Sequence, residues 1–449
     1  MFDKILIANR GEIAVRIIRA CREMGIKTVA VFSEPDREAL HTQLADEAVC
    51  IGSAKAADSY INMPNIITAA VETKAQAIHP GFGFLSENST FAAMCEECNI
   101  KFIGPAPSVI DALGNKSNAR EMMIRAGVPV IPGSDGVVAD REQAHEVAGK
   151  LGYPVMVKAS AGGGGKGIRI VRTEDELDQA FEAAQSETKA AFGDDQMYME
   201  KVIEHARHIE VQVLGDHFGN VIHLGERDCS LQRKNQKVLE EAPSPVLSEE
   251  TREKMCKSAV LAAKAAGYES AGTIEFLYDH SGQYYFMEMN TRIQVEHPIT
   301  EMITGVDIVK EQIRVAAGEK LSYEQSDIHI TGHAIECRIN AENPDRGFAP
   351  CPGTVTGLHL PGGKGVRVDS AIYSGYTIPP FYDAMIAKIS VWAKSRREAI
   401  EKLHSALGEV IIEGVDTNVD FLYELLENEE FRQGKTDIEF LERRNGESK

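Results

Sequence analysis

Little in this chain suits a membrane, a nucleic acid or a disulfide scaffold. No apolar stretch is long enough to cross a bilayer. Met1-Phe2-Asp3-Lys4 leads straight into a strand-like run, without the pattern of a signal peptide. Positive charge is scarce: 48 Lys and Arg against 68 Asp and Glu leave a formal net charge of −20. That argues against nucleic acid or an anionic membrane as partner of the whole surface. Anionic substrates stay open, because a few cations in a cleft suffice for them. The eight cysteines include one C-x-x-C, Cys95 and Cys98, with no second pair and no histidine at zinc spacing. The pair falls in a helical pattern and is read as structural, and the thiols as reduced. No G-x-G-x-x-G opens the first turn, Asn9-Arg10-Gly11-Glu12, which disfavours a dinucleotide site. Internal repeats and low-complexity tracts are also lacking.

What is present fits a globular enzyme of two or three domains, at 449 residues. The start alternates strand and helix: Lys4-Ile5-Leu6-Ile7-Ala8, a helix over 13–24, Thr28-Val29-Ala30-Val31-Phe32, then Ala48-Val49-Cys50-Ile51 and Ala77-Ile78-His79. This rhythm predicts a parallel sheet with helices on both faces. A boundary is expected near Gly114, a strand-rich section over 200–300, and a β-rich, Pro- and Gly-rich section beyond 330 closed by helices over 396–407 and 419–426. The acidic run over 424–430 reads as a solvated helix face.

The most informative stretch is Glu288-Met289-Asn290-Thr291-Arg292-Ile293-Gln294-Val295-Glu296-His297-Pro298, which follows the apolar run Tyr284-Tyr285-Phe286-Met287. Alternation puts Glu288 and Asn290 on one face of a strand, and Arg292, Gln294 and Glu296 join them if the chain stays extended. Carboxylates, amides and a guanidinium on one face of a half-buried strand suit a metal ion and a small anion. Glu275 interrupts another apolar strand, Gly272-Thr273-Ile274-Glu275-Phe276-Leu277, and the turn over 279–282 folds it antiparallel to the strand carrying Glu288, in a register left open. Two carboxylates so joined either bind a hard cation, Mg²⁺ beside a nucleotide, or form a structural salt-bridged pair.

A glycine run, Gly162-Gly163-Gly164-Gly165-Lys166-Gly167, sits between strand-like Pro154-Val155-Met156-Val157-Lys158 and Ile168-Arg169-Ile170-Val171. It is no Walker loop, since Ser160 and Gly167 break the pattern and no helix follows. It reads instead as a mobile flap joining antiparallel strands, whose N–H groups lie over phosphates, with Lys158 as the cation beside them. His208-Ile209-Glu210-Val211-Gln212-Val213 and the polar run over 226–237 add further candidates, with Lys237 as an anion ligand.

Together these residues resemble the ATP-grasp enzymes, and within them the biotin carboxylase family. The resemblance covers essentially the whole chain, including Ile7-Ala8-Asn9-Arg10-Gly11-Glu12-Ile13-Ala14, His79-Pro80-Gly81-Phe82-Gly83-Phe84-Leu85-Ser86-Glu87-Asn88, Glu226-Arg227-Asp228-Cys229-Ser230 and His333-Ala334-Ile335-Glu336-Cys337-Arg338-Ile339-Asn340. It implies a mixed α/β and α+β fold: a Rossmann-like N-terminal domain over 1–114, an ATP-grasp domain over 115–330 with its lid at about 131–203, and a β-rich C-terminal domain over 331–449. The implied reaction carboxylates biotin with ATP and bicarbonate through carboxyphosphate, with Mg²⁺ or Mn²⁺.

The resemblance also implies residue roles. Lys116, Lys158 and Gly162, Gly163, Gly164, Gly165, Lys166 and Gly167 would hold phosphates, while Glu200, Lys201, Ile203, His208 and Gln232 would surround adenosine. Glu275 and Glu288 would ligate the metal, with Asn290 adjacent. Lys237, Arg292, Gln294 and Val295 would hold bicarbonate, with Glu296 as its base; Arg338 would stabilise the biotin enolate. Arg19 and Glu23 would make a homodimer contact. Asn235 stands where some members have histidine near the ribose, and Phe82 where some have tyrosine near biotin. No Met-Lys-Met biotinylation site occurs, so a separate biotin carboxyl carrier protein and carboxyltransferase are expected, in the cytoplasm. Another ATP-grasp ligase acting on an amine, or a nucleotide-binding protein without turnover, are the rival readings.

Overall fold

The computed structural model describes residues 1–159, 168–192, 196–444 and 446. The N-terminal alternation builds a five-stranded parallel sheet, in the order Glu47–Gly52, Lys27–Ser33, Lys4–Ile7, Ala77–His79, Lys101–Phe102. Its central strand is covered on both faces, as parallel sheets require. Ile5 and Ile7 pack with Ile13, Ile17 and Ile18 of helix Gly11–Glu23, while Leu6 packs with Val29, Ile66 and Phe91 on the other side. Chain order reverses between Lys4–Ile7 and Ala77–His79, the kind of switch point beside which α/β sheets bind ligands. The loops that leave these two strands are stitched together: Asn9 Nδ2 donates to the carbonyls of Pro80 at 2.6 Å and Phe82 at 2.7 Å. Gly81 has φ +63°, and a Cβ there would lie 3.0 Å from Asn9 Nδ2 and 3.1 Å from Ile13, so the stitch needs glycine.

A second, eight-stranded sheet is antiparallel throughout. Its order is Tyr284–Asn290, Ser270–Tyr278, Arg207–Gly215, Val221–Arg233, Gln236–Ala242, His333–Asn340, Met385–Ala393, Val366–Ser370. The sheet is shared across the expected 330 boundary, because Gln236–Ala242 pairs directly with His333–Asn340. A small third sheet carries the strands expected around the glycine run: Val155–Ala159 pairs antiparallel with Ile168–Val171 and with Met197–Lys201. Helices Arg141–Leu151 and Leu177–Phe192 cover it, around Val155, Val157 and Phe181. Residues 162–167, the glycines and Lys166, lie outside the described residues.

Smaller expectations fare similarly. Cys95 is buried in helix Ser89–Glu97, as a structural thiol should be, and Cys98 follows its end, exposed. The acidic run over 424–430 is split between helices Val419–Glu427 and Glu429–Arg432, with Leu425 and Leu426 buried inward. No helix among the described residues is long and apolar enough to cross a membrane.

Candidate active site

The three sheets converge on a cleft of about 1810 Å³, well above the roughly 300–1,000 Å³ of a single small-ligand pocket. The loops over 9–12 and 82–84 line one wall, Met156, Lys158, Tyr198 and Glu200 another, and the eight-stranded sheet its floor.

That floor is organised by strand register. Arg227 lies opposite Glu210, Glu210 opposite Glu275, and Glu275 opposite Glu288, a row across four neighbouring strands. Like charges directly opposite one another are destabilising, so cations must stand among them. Lys237 does so: its Nζ donates to Glu210 at 2.6 Å, to Glu275 at 3.0 Å and to Glu296 at 2.7 Å. Arg227, wholly buried, donates to Glu210 at 2.5 Å and to Gln212 and Thr300 at 2.8 Å. His208 Nε2 lies 3.1 Å from Glu275.

The sequence pattern predicts an extended face through Glu296, and here the structure differs. The strand ends at Asn290, and the chain turns. Glu87, from the far end of the chain, causes this: it accepts from Thr291 N at 3.0 Å and from Arg292 Nε at 2.8 Å. The turned loop still gathers the same side chains. Arg292 Nη2 donates to Asn290 Oδ1 at 2.9 Å and its Nη1 to Gln294 at 3.1 Å, while Asn290 and Gln294 donate to Glu275 at 2.9 Å and 3.0 Å. Glu296 immediately precedes helix His297–Thr304 and is wholly buried between Lys237 and Arg338, whose Nη2 reaches it at 2.9 Å.

The charges of these groups follow from their neighbours. Burial would raise the Glu296 carboxyl, yet Lys237, Arg338 and Arg227 hold it well below the usual carboxylate range. Burial likewise opposes ionisation of Glu275, and His208 and Lys237 overcome it. Glu288 goes the other way, pushed up by burial and by the charge of Glu275. A divalent cation between Glu275 and Glu288 would relieve that repulsion, and an all-oxygen donor set suits Mg²⁺. Two tighter gatherings among the described residues, His208 with Glu210 and Glu275 and Glu210 with Cys229 and Glu296, both include carboxylates that Lys237 already neutralises.

Of the residues expected around a nucleotide, Lys116, Lys158, Glu200, His208, Gln232 and Asn235 all line the cleft, as do Phe82 and Arg338. Lys158 is ion-paired to Glu200, and Gln232 contacts His208 Nδ1 at 2.7 Å. Lys234 and Asn235 form the tip of a hairpin in the left-handed region, at φ 49° and 63°. Two expected residues stand apart: Lys201 donates to the carbonyls of Gly152 at 2.8 Å and Tyr153 at 2.9 Å, and neither it nor Ile203 lines the cleft. Sequence reasoning gave no role to Glu210, Glu87, Arg120, Tyr198 or Ile438. Glu210 carried a signal, a carboxylate inside an apolar strand; Glu87 and Ile438 reach the site only through the fold.

Comparison with known proteins agrees with this geometry. Residues 1–110 match the family model of the biotin carboxylase N-terminal domain, 115–324 that of the carbamoyl-phosphate synthase L chain ATP-binding domain, and 336–443 that of the biotin carboxylase C-terminal domain. The chain is 58% identical to biotin carboxylase 1 of Bacillus subtilis, over 98% of each protein. It is 57% identical to a pyruvate carboxylase subunit of Methanothermobacter thermautotrophicus, over 98% of this chain and 90% of that one. The biotin carboxylase domain dimer of Hydrogenobacter thermophilus 2-oxoglutarate carboxylase, solved with MgADP, ADP and bicarbonate, superposes with a TM-score of 0.92 at 54% identity, covering 99% of this chain and 98% of that one. With the carboxylate row, the lysine among it and the arginine beyond, these matches show that the chain belongs to the biotin carboxylase family and is an ATP-dependent carboxylase of ATP-grasp fold.

Proposed function

We propose that Glu296 is the base that activates bicarbonate, and that Arg338, one contact further on, receives biotin. The observation that carries this reading is the unbroken chain of ion pairs Glu275–Lys237–Glu296–Arg338, which joins the candidate metal site to the biotin side of the cleft. Bicarbonate is a poor carboxyl donor because hydroxide is a poor leaving group. Phosphorylation by ATP replaces that leaving group with phosphate. Glu296, kept ionised by its cations, accepts the bicarbonate proton as the bicarbonate oxygen attacks the γ-phosphorus and ADP departs. Lys237, Arg292, Gln294 and the backbone at Val295 hold the anion. Mg²⁺ or Mn²⁺, held by Glu275 and Glu288 with Asn290 beside them, would neutralise charge on the transferring phosphoryl group. Lys116 and Lys158 serve the same purpose, and Lys166 and glycines 162–167 complete the phosphate site. Glu200, His208, Gln232 and Asn235, which line the cleft, surround the nucleoside, while Lys201 and Ile203 lie outside it. Carboxyphosphate then yields CO₂ and phosphate; the phosphate takes the ureido proton, and the ureido nitrogen of the enolate, held by Arg338 near Phe82, forms its bond to CO₂.

The three units, 1–114, 115–330 and 331–449, work together, since the cleft takes walls from each. Biotin is presented on a separate carrier protein, and a carboxyltransferase passes the carboxyl group on, to acetyl-CoA for fatty acid synthesis in the cytoplasm. The match to a pyruvate carboxylase component keeps pyruvate as the second reading. Arg19 and Glu23, both exposed on helix Gly11–Glu23, contribute to a homodimer contact. The test is Glu296→Gln. Bicarbonate-dependent ADP release should fall by about a hundredfold or more while nucleotide affinity stays within about threefold; unchanged turnover would remove Glu296 as the base.

A further inference from the structure

Beyond the base and its arginine, the sheet holds a pair of acids that the reaction above does not use. Gln236–Ala242 runs antiparallel to His333–Asn340, and Glu240 stands directly opposite Glu336, both wholly buried. Arg338 donates to Glu240 Oε1 through Nε at 2.7 Å and Nη2 at 2.6 Å, and the same Nη2 reaches Glu296 at 2.9 Å. One guanidinium therefore faces two carboxyl groups. The second oxygen of Glu240, Oε2, and the Oε1 of Glu336 have no hydrogen-bond donor. A buried anionic oxygen without a donor is costly, and a proton on it removes the charge.

We propose that Glu240 is a positioning residue for Arg338 that works as a neutral carboxylic acid, so that the charge of Arg338 is left free for the biotin enolate. The inference rests on Arg338 as the enolate ligand. Burial pushes Glu240 up to about 8, with Glu296 and Glu336 adding to the rise and Arg338 and Lys237 opposing it. Burial also pushes Glu336 up to about 7, against Lys388 and Ser390, with Asp369 adding and Arg338 opposing. The other groups facing the pair are the buried thiols of Cys229 and Cys337, both pushed up by burial. Glu12 faces Lys388 from helix Gly11–Glu23 and is itself pushed up by burial.

The order of events gives this proton its purpose. Before bicarbonate activation Arg338 is balanced by ionised Glu296. Once Glu296 has accepted the bicarbonate proton, no full negative charge remains on Arg338, provided that Glu240 is neutral. The enolate oxygen of biotin is then the anion that completes it. If Glu240 were ionised, a permanent carboxylate would compete with the enolate. The Glu240 proton is neither donated nor consumed in the cycle.

The test compares Glu240→Gln, Glu240→Ala and Arg338→Ala in the full chain with free biotin. Bicarbonate-dependent ADP release without biotin and carboxybiotin formation are measured from about pH 6.5 to 9.5. Glu240→Gln, a permanent stand-in for the neutral acid, should keep kcat/KM for biotin within about threefold at pH 7, and should lack the alkaline fall that ionisation of Glu240 is expected to impose on the unaltered chain. Glu240→Ala should lower kcat/KM for biotin about tenfold or more, with a smaller effect on biotin-independent ADP release. The proposal is overturned if Glu240→Gln falls as far as Glu240→Ala, or if its alkaline limb stays in place. Should the alanine variant not fold, the glutamine pH profile decides alone. Equal loss of both partial reactions in Arg338→Ala would instead remove the enolate role on which the proposal rests.

Discussion

Lys388 shows how much of the site is held from behind. It is wholly buried, donates to the Val295 carbonyl at 2.5 Å and lies 3.3 Å from Glu12. Glu12, Glu336 and Asp369 hold its ammonium charged against the effect of burial. The backbone of Val295 sits between Gln294 and Glu296, so one lysine from the C-terminal strand Met385–Ala393 fixes the loop of the anion site. Lys388→Met strands three acids in the interior, which costs about 3–5 kcal/mol. It should lower the thermal midpoint and raise KM for bicarbonate about tenfold, more than KM for ATP. Equal KM values for bicarbonate in the variant and the unaltered chain would show that Val295 keeps its place without this lysine. Single residues of this kind are not legible in the sequence. A lysine in an apolar strand, or Glu240 and Glu336 in theirs, looks like an isolated polar residue until strand register sets it beside a partner.

Among elements, those with a local pattern are legible. The strands around the glycine run pair antiparallel, and helices at both ends of the chain fall within a residue or two of expectation. The hairpin joining Glu275 and Glu288 follows from its turn residues, but its register does not. The structure sets the two opposite one another, with an irregularity at Glu275/Phe276 that shifts the remaining pairs. The turn at Thr291 reads as continued strand in the sequence, because its cause, Glu87, lies some two hundred residues away, beyond any local pattern. A further long-range tie is Glu241, on the same strand as Glu240. It accepts from His333 at 2.8 Å and from Arg396 at 2.6 Å and 3.1 Å, and Arg396 also donates to the carbonyls of Phe431 and Arg432. The sheet, helix Arg396–Gly408 and the last segment are thereby joined. Burial opposes the Glu241 anion, but His333 and Arg396 bring it down to about 2 from the usual 4.5. A depressed carboxylate contributes stability that is present above its unfolded value and lost as pH falls through its folded one. The unfolding midpoint should therefore drop between about pH 4.5 and 2, and Glu241→Gln should be less stable at pH 7 by about 2–4 kcal/mol with a flatter acid dependence in that window. An unaltered acid dependence in the variant would mean that other carboxylates govern it.

At the scale of the whole molecule, the cleft exists because three sheets meet. The parallel sheet brings a switch-point wall, the small sheet brings Lys158 and Glu200, the large sheet brings the acid row and Arg338, and the turn after its edge strand brings Glu296. The large sheet runs on into the C-terminal strands, so Arg338 is brought within 2.9 Å of Glu296 although more than forty residues separate them in sequence. Composition foretells an acidic surface with cations kept for a cleft, and Lys237, Arg292 and Arg338 are such cations, paired with Glu210, Glu87 and Glu296 respectively. The central claim is that this arrangement activates bicarbonate for transfer to biotin. Its most direct test is ADP release by the purified chain with Mg-ATP, with and without bicarbonate, and with and without free biotin. The account predicts release that requires bicarbonate, rises with biotin and is matched by carboxybiotin. Release that ignores bicarbonate but responds to an amine, or no release under any of these conditions, would contradict it.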